Sequence, residues 1–339
     1  MIYQRELAMA KSATKVFEDL AKDLTRLIGD ITDSAVKRQV GVAKEELQAL
    51  LSLAGFLEAL FSPPRSVPAG EKTAFREDAA LRDVCQWLAH YPSQKICVLD
   101  VGCGIGNVPV TMLHGLAPAM LAKITYVGID KDPKIVDGLI EAHKNHSPLA
   151  KSDDGQERKL GDFFSFDVHL VDVANLSQTI LGKFDLVMCH NLVHEIPPFA
   201  IPKLLSDLNS LLKSETLAEI VVIDMEVLPR DEPESDAFTW GCREFERLLR
   251  AAGYKNASAT KHDKSVPVFS SVVTKAENVD VGNACLEVRR VLEQRQKLLI
   301  RSYESLRRQE RKDFVMMCDI ILVLAQIAYV ARCLEQEDH

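Results

Sequence analysis

The chain has 339 residues, of which 47% are hydrophobic and 27% charged, and its net charge at pH 7 is −8. This composition is typical of an ordinary globular protein, long enough for a catalytic core with additional helices. The negative charge argues against binding of nucleic acid over the whole surface, although a local basic patch stays compatible with it. Eight scattered cysteines without a C-x-x-C pair predict free thiols in a reducing cytosol, and neither a disulfide framework nor a zinc site.

The first part of the chain is predicted to be helical. Apolar residues recur at three- and four-residue steps through residues 1–62, and the prolines between Ser62 and Gly70 end this pattern. A further helix is predicted from Glu71 to His90. The segment Met1 to Leu7 has no apolar core of signal-peptide length, so we predict a cytoplasmic protein.

A glycine-rich turn follows the first predicted strand. The apolar run from Ile96 to Leu99 predicts a buried parallel strand, and Asp100 then precedes Gly102, Gly104 and Gly106. Glycine permits the unusual backbone angles of such a turn and lets a ligand approach the backbone closely. The spacing is G-x-G-x-G, whereas dinucleotide-binding folds use G-x-G-x-x-G.

The second predicted strand ends in an acid. The segment Ile124 to Ile129 is apolar, and Asp130 follows it, 28 residues after Gly102. A carboxylate at the tip of this strand can accept hydrogen bonds from both hydroxyls of a ribose. The glycine turn and this acid together predict a site that binds a nucleoside.

Five more strands are predicted, at 166–171, 184–189, 219–225, about 254–260 and 268–274. Their alternation with amphipathic helices predicts an α/β fold with a doubly wound, mostly parallel, seven-stranded sheet. The short polar segment between the last two strands permits a hairpin, so one strand should run antiparallel. Residues 147–162 are polar and are predicted to form a loop.

The residues Val98 to Asn107 and Val127 to Asp130 resemble the class I S-adenosylmethionine-dependent methyltransferases. The resemblance covers residues from about 75 to 277. It implies a Rossmann-like methyltransferase domain, placed at 71–277, between helical extensions at 1–62 and 278–339. Another nucleotide-binding Rossmann-like fold, or a relic that no longer binds, is the alternative.

The resemblance also implies that S-adenosyl-L-methionine is the cofactor. Its methionine part would be held by the glycine turn, its ribose by Asp130 and its adenine amino group by Asp172. Asp100 is expected to organise the turn and the cofactor's amino group, since an acid near a cation is electrostatically favourable. The residues assigned to the cofactor are Asp100, Gly102, Cys103, Gly104, Gly106, Asp130, Asp172 and His190.

The segment after the fourth strand of the sheet contains the candidate catalytic residues. Ligands bind beyond the carboxyl ends of the central strands, so His190, Asn191, His194 and Glu195 should surround the methyl-transfer site. The run resembles the Asn-x-x-His-His turn of many small-molecule methyltransferases, with Glu195 replacing the second histidine. His194 is the candidate base for a hydroxyl or amine, with Glu195 orienting it. Alternatively, Asn191 caps a short helix and His194 only lines the pocket.

One further segment is compatible with a functional or a structural role. Asp224 and Glu226, with Trp240 and the acidic residues 229–236, are a candidate lid over the acceptor, although a solvated loop is the simpler interpretation.

Residues 197–199 are similar to a motif of amino-directed nucleic-acid methyltransferases, but an isoleucine occupies its polar position. Proline at the start of a helix over 199–212 also explains them. No set of three side chains predicts a metal site.

Residues 283–334 are again predicted to be helical. Residues 286–312 contain nine Lys or Arg and four Glu, a local charge of +5, which suits either a solvated helix face or contact with an RNA backbone. The segment Phe314 to Val330 is apolar but interrupted by Asp319 and Gln326, which favours a buried helix over a membrane span. The terminal helices are predicted to form one helical layer or a homodimer interface.

The sequence therefore predicts an S-adenosylmethionine-dependent methyltransferase that modifies an oxygen or nitrogen atom of a small molecule. Two alternatives remain. One is an RNA- or protein-directed methyltransferase that uses the terminal helices for recognition, and the other is a non-catalytic scaffold that keeps the fold. Contact with a membrane is not predicted.

Overall fold

The computed structural model describes residues 79–151, 155–214, 217–227, 237–262 and 268–308, together with 323, 326–327, 329–331 and 333–334. The chain divides into two compact units, one of residues 66–228 and 237–288 and the other of 1–65, 229–236 and 289–339. The helices predicted within 1–62, the acidic loop at 229–236 and most of the apolar segment at 314–330 lie outside the described residues.

The first unit combines one large sheet with helices. The strands are β1 (Ile96–Val101), β2 (Ile124–Asp130), β3 (Pro148–Lys151), β4 (Glu157–Lys159), β5 (Ser165–Leu170), β6 (Leu186–His190), β7 (Glu219–Met225), β8 (Ser258–His262) and β9 (Val268–Thr274). The α-helices are α1 (Ala79–Ala89), α2 (Asn107–Gly115), α3 (Pro118–Leu121), α4 (Pro133–Lys144), α5 (Leu176–Thr179), α6 (Ile201–Leu211), α7 (Cys242–Ala251) and α8 (Val281–Arg307), the last of which continues into the second unit. Short 3-10 helices span Leu160–Asp162, Val173–Asn175 and Pro198–Ala200.

The sheet has the predicted doubly wound topology. Its seven strands follow the order β5-β2-β1-β6-β7-β9-β8, with β1, β2, β5, β6 and β7 parallel. β9 runs antiparallel to both β7 and β8, as the predicted hairpin requires. The prediction of a seven-stranded, mostly parallel sheet with doubly wound topology is therefore confirmed.

Two local predictions differ from the structure. The segment predicted as a loop at 147–162 contains the antiparallel hairpin of β3 and β4, which contacts α2 and buries Ala150. The sixth predicted strand, at about 254–260, corresponds to β8, which begins only at Ser258. Gly253 takes a φ of +96°, and the amide of Tyr254 donates to Leu249 O, which closes the end of α7 in the manner of a Schellman cap.

The core forms because the central strands are almost continuously apolar, as buried parallel strands require. On one face of the sheet, a cluster joins side chains of α1, α2 and α4 to the strands, including the fully buried Leu88, Ile96, Leu113 and Ile124. Each such side chain contributes about 1.5 to 3 kcal/mol to the stability of the fold when it is buried.

None of the described helices is long and apolar enough to cross a membrane.

The functional consequence of this topology is the position of three strand ends. β1, β2 and β6 are adjacent and parallel, so their carboxyl ends meet at one edge of the sheet. The glycine turn follows β1, Asp130 ends β2 and His190 ends β6. Residues that are about 90 positions apart in the chain are therefore brought to one edge.

Candidate active site

The glycine turn has the backbone that its sequence predicts. The φ angles of Gly102, Gly104 and Gly106 are +70°, +50° and +91°, in a region that favours glycine. The amides of Gly102 and Cys103 both donate to Ile129 O at 2.9 Å, and that of Gly106 donates to Cys103 O at 3.0 Å. A Cβ on Gly104 would have only Gly102 O within 4 Å, at 4.0 Å, so the turn leaves open space at this residue.

Asp130 connects the end of β2 to this turn. Its Oδ2 accepts the amide of Gly104 at 2.9 Å, and its Oδ1 accepts the amide of Asp132 at 2.9 Å. A carboxylate oxygen can accept more than one hydrogen bond, so each oxygen keeps acceptor capacity. The carboxylate both fixes the turn and stays able to bind hydroxyl groups.

Asp100 is fully buried at the end of β1. The hydroxyl of Tyr126 donates to its Oδ2 at 2.5 Å, while its Oδ1 has no hydrogen-bond partner among the described residues. Burial raises the pKa of Asp100 to about 6, and the nearby Asp130 also raises it, while the Tyr126 hydroxyl and His190 lower it. The turn is thus preceded by a buried carboxylate with one unused acceptor.

The other residues predicted to bind the cofactor occupy different positions around this edge. His190 ends β6 and is close enough to Asp100 to affect its charge. Cys103 is buried, with its sulfur over Gly128, and its amide is already used within the turn. Asp172 is exposed and accepts the amide of Ala174 at 2.9 Å, which caps the 3-10 helix after β5.

The loop after β6 lies directly against the glycine turn. A Cβ on Gly102 would be only 2.7 Å from Leu192 Cδ1, so the two loops meet where Gly102 has no side chain. Asn191 begins this loop with a φ of +51°, a conformation that asparagine adopts more readily than most residues, and its amide donates to Ile223 O at 2.8 Å. This contact holds the loop that contains His194 against the glycine turn.

His194 forms a buried pair with Asp224. Its Nδ1 lies 2.6 Å from Asp224 Oδ1, and its amide donates to Oδ2 at 3.1 Å. The side chains are 3% and 1% exposed, so water hardly reaches the pair. A carboxylate that accepts the Nδ1 proton fixes the tautomer and makes Nε2 the basic nitrogen.

The partner of His194 is therefore not the residue that the sequence suggested. Glu195 was expected to orient the imidazole, but its carboxylate is on the surface, 4.0 Å from Lys131 Nζ, with 46% of the side chain exposed. The orienting group is Asp224, which the simpler interpretation had assigned to a solvated loop. The signal for Asp224 was its position at the end of the strand adjacent to β6, because parallel neighbours end at the same edge.

The elements around this pair are well packed. The amide of Phe238 donates to His194 O at 2.8 Å, and the ring of Phe238 makes an edge contact with Trp240 at 5.0 Å. Glu226 accepts the amide of Cys242 at 2.7 Å and pairs with Lys261, so it caps α7. Residues 198–200 form a 3-10 helix that leads into α6, in agreement with a helix-starting proline. Among the residues that the structure describes, no cluster of His, Cys, Asp or Glu has the arrangement of a metal site.

The sequence of residues 73–259 matches the family described as a methyltransferase domain. This match covers more than half of the chain and contains the glycine turn, Asp130, His194 and Asp224. The chain therefore belongs to the methyltransferase domain family, within the class I S-adenosylmethionine-dependent methyltransferases. It is an enzyme of this class, and its cofactor is S-adenosylmethionine.

Solved structures with a similar fold come from several methyltransferases. The magnesium protoporphyrin IX methyltransferase ChlM from Synechocystis PCC 6803 is 14% identical, with a TM-score of 0.42 over 75% of this chain and 97% of that chain. The CurJ carbon methyltransferase is 14% identical, with a TM-score of 0.47 over 76% and 71%. The mitomycin 7-O-methyltransferase MmcR is 13% identical, with a TM-score of 0.41 over 77% and 67%. A comparison with curated protein sequences gives no significant match.

The residues at this edge suit the cofactor. The unpartnered Oδ1 of Asp100 is a buried acceptor that a cationic group would satisfy. The space beside Gly104 admits a ligand close to the backbone, and Asp130 offers acceptor capacity for hydroxyl groups. Since hydrogen bonds within the protein already use the amides of residues 102–104 and 106, the turn offers shape and acceptors, with few amide donors left for a ligand.

Proposed function

We propose that this protein transfers the methyl group of S-adenosylmethionine to an oxygen or nitrogen atom of a small-molecule acceptor, with His194 as the general base. The observation that carries the proposal is the buried pair of His194 with Asp224 of β7, because the loop that contains His194 touches the glycine turn through Leu192. The base is thereby held close to the place where the cofactor would bind.

The cofactor supplies a methyl group on a sulfonium, which already has a good leaving group. The protein then has to align the acceptor, exclude water and take its proton. In this proposal Asp130 binds the ribose hydroxyls, Asp100 the ammonium of the methionine part and Asp172 the adenine amino group. The turn formed by Gly102, Cys103, Gly104 and Gly106 lies against the methionine part, with His190 beside it.

Asp224 gives His194 the properties of a base. Its carboxylate accepts the Nδ1 proton at 2.6 Å, so Nε2 is the ring nitrogen that would take the proton of a hydroxyl or amine. The same carboxylate stabilises the imidazolium that forms when the proton has moved. Asn191, at the start of this loop, is proposed to line the acceptor site, and Glu195 contributes charge at its rim.

The closed environment of the pair supports a small acceptor. With His194 3% exposed, the reacting atom has to enter a site from which most water is excluded. A small molecule fits such a site more readily than the surface of a folded macromolecule. The same proposal includes a methyltransferase domain at 71–277 with helical extensions at 1–62 and 278–339. It also gives these extensions a role in homodimer formation.

The test combines cofactor binding with methyl transfer in the full-length protein. Labelled S-adenosylmethionine is incubated with metabolite, RNA and protein fractions, and the affinity for the cofactor is measured by calorimetry. We expect label in the metabolite fraction, lost by about 10²- to 10⁴-fold in both His194→Ala and Asp224→Asn, with cofactor affinity unchanged within about twofold.

His90→Ala is the matched control, because His90 is exposed and lies at the opposite end of the sheet, after α1. It should keep full methyl transfer. Label in the RNA or protein fraction would favour a macromolecular acceptor instead, and undiminished transfer by His194→Ala would exclude His194 as the base.

A further inference from the structure

Tyr126 places a hydroxyl in an otherwise apolar part of the core. Its ring is fully buried, stacks parallel on Phe166 at 5.1 Å and lies 5.8 Å from the ring of Phe163. A phenylalanine would keep these ring contacts, so packing does not account for the hydroxyl. The hydroxyl donates to Asp100 Oδ2 at 2.5 Å.

Gly128 makes this contact possible. In the register of β1 and β2, Asp100 lies opposite Gly128, and Tyr126 precedes Gly128 by two residues on the same face of the sheet. A Cβ on Gly128 would lie 3.2 Å from Tyr126 Cε1 and 3.1 Å from Cys103 Sγ. Because Gly128 has no side chain, the tyrosine ring can extend past it towards the end of β1.

Asp100 depends on this hydrogen bond for its charge. Burial is the largest influence on its pKa and raises it to about 6, which disfavours the ionised form. The Tyr126 hydroxyl is the hydrogen-bond donor that opposes this effect, and His190 of β6 adds a smaller electrostatic attraction. Asp130 of β2 acts in the opposite sense, and Cys103 and Cys189 are the thiols nearby.

We propose that Tyr126 is a positioning residue, which orients the Asp100 carboxylate and keeps it ionised so that its second oxygen can bind the ammonium group of the cofactor. Tyr126 acts through Asp100 and does not itself touch the cofactor. The inference rests on the role given to Asp100 under the proposed function. It explains together the buried hydroxyl, the glycine at position 128 and the unpartnered Oδ1 of Asp100.

The test is the pH dependence of cofactor affinity in the full-length protein. S-adenosylmethionine is titrated by calorimetry between about pH 5 and pH 7, where its α-amino group, with an ordinary pKa of about 7.7 to 8.0, stays charged. Because the cation binds the ionised form of Asp100, the affinity of the unmodified protein should rise with pH and level off above about pH 6. In Tyr126→Phe the inflection should lie about one to two pH units higher, so binding at pH 6 should be about tenfold weaker and the affinity should still be rising at pH 7, without a plateau.

Two controls separate this effect from general damage. Tyr254→Phe removes another buried hydroxyl, which donates to Leu205 O at 2.9 Å, and should leave the profile unchanged. 5′-Methylthioadenosine has neither the ammonium nor the sulfonium and should bind equally to the unmodified protein and to Tyr126→Phe. The profile is repeated in a His190→Gln background, because an imidazole can change its charge in the same pH range.

The outcomes distinguish the inference from the function on which it rests. If Asp100→Asn weakens binding while Tyr126→Phe leaves both affinity and inflection unchanged, the inference is overturned and the role of Asp100 stands. If Asp100→Asn binds S-adenosylmethionine like the unmodified protein, the role of Asp100 and the inference that rests on it are both overturned. Should Tyr126→Phe fail to fold, replacement of the six tyrosines by 3-fluorotyrosine, a stronger donor, should move the inflection to lower pH; an unmoved inflection overturns the inference.

Discussion

Two buried carboxylates at opposite ends of the sheet are used in different ways. At the amino end, Asp185 accepts the Cys97 amide and Lys213 Nζ on Oδ2, both at 2.7 Å, and the Tyr91 hydroxyl on Oδ1 at 3.3 Å. At the carboxyl end, Asp100 has only the Tyr126 hydroxyl on one oxygen and no described partner on the other. The first carboxylate is fully partnered by the protein, whereas the second is not.

From this difference we infer that the carboxylate at the amino end of the sheet serves stability and that the one at the carboxyl end serves ligand binding. Removing a buried carboxylate whose hydrogen bonds are all made is costly, because its buried donors are left without their acceptor. Asp100 has the opposite effect in the protein without cofactor: its pKa is raised to about 6, so folding takes up a proton between its ordinary value of 3.8 and 6. Stability therefore falls as pH rises through this window, and a bound cation would restore it.

Removal of the amino-end carboxylate should have the largest effect on stability. Asp185→Ala leaves the Cys97 amide and Lys213 without this acceptor and should lower the free energy of unfolding by about 3 to 5 kcal/mol, measured by urea denaturation. The folded fraction should bind S-adenosylmethionine normally. Arg308→Ala, which breaks an exposed pair with Glu304, is the control and should cost no more than about 0.5 kcal/mol. A loss below about 1 kcal/mol for Asp185→Ala would contradict the comparison.

A change at the carboxyl end should affect binding more than stability. Gly104→Ala meets no atom closer than 4.0 Å but has to adopt a φ of +50°, which costs about 1 kcal/mol. Its methyl group would occupy the space next to the turn, so calorimetry should show at least about tenfold weaker cofactor binding. Gly138→Ala, in the middle of α4 with nothing within 4 Å, should keep the affinity and gain up to about 1 kcal/mol of stability. Equal affinities of the two variants would show that Gly104 does not face the cofactor.

The smallest effect is expected from the surface pair at the same edge. Lys131 and Glu195 lie 4.0 Å apart, with 69% and 46% of their side chains exposed. Exposed pairs contribute little because water and salt screen them, so Lys131→Ala should change stability by less than about 0.5 kcal/mol in thermal unfolding. It should also change cofactor affinity by less than about threefold at 0.15 M salt. A larger change in cofactor affinity would mean that surface charges, and not only the buried Asp100 carboxylate, determine how the cationic cofactor binds.

The sequence predicted those parts of the fold that depend on a short run of residues, such as an apolar strand or a set of spaced glycines. Central parallel strands are continuous apolar runs, so β1, β2 and β7 were located closely, and a glycine turn is recognisable from its spacing alone. The hairpin of β3 and β4 was missed because its residues are polar and its stability comes from contact with α2, which no local pattern reports.

The same dependence on local pattern applies to the candidate site. The glycine turn, Asp130 and His194 lie in short motifs, whereas Tyr126 and Asp224 act on partners 26 and 30 residues away. Strand order brings these partners together, and a single sequence does not state which side chain crosses to which neighbour. The sequence pattern favours Glu195 as the orienting residue because it is adjacent to His194 in the chain, although the loop turns it towards Lys131.

Cys103 has a consequence for the way the glycine turn can be observed. Its sulfur occupies the room above Gly128, with 5% of the residue exposed, and burial raises the pKa of its thiol far above the usual range. Electrophiles react with the thiolate, which is scarce here, so alkylation requires the turn to open first. The rate at which iodoacetamide modifies Cys103 therefore reports how often this turn opens. A bound ligand that holds the turn closed should lower that rate.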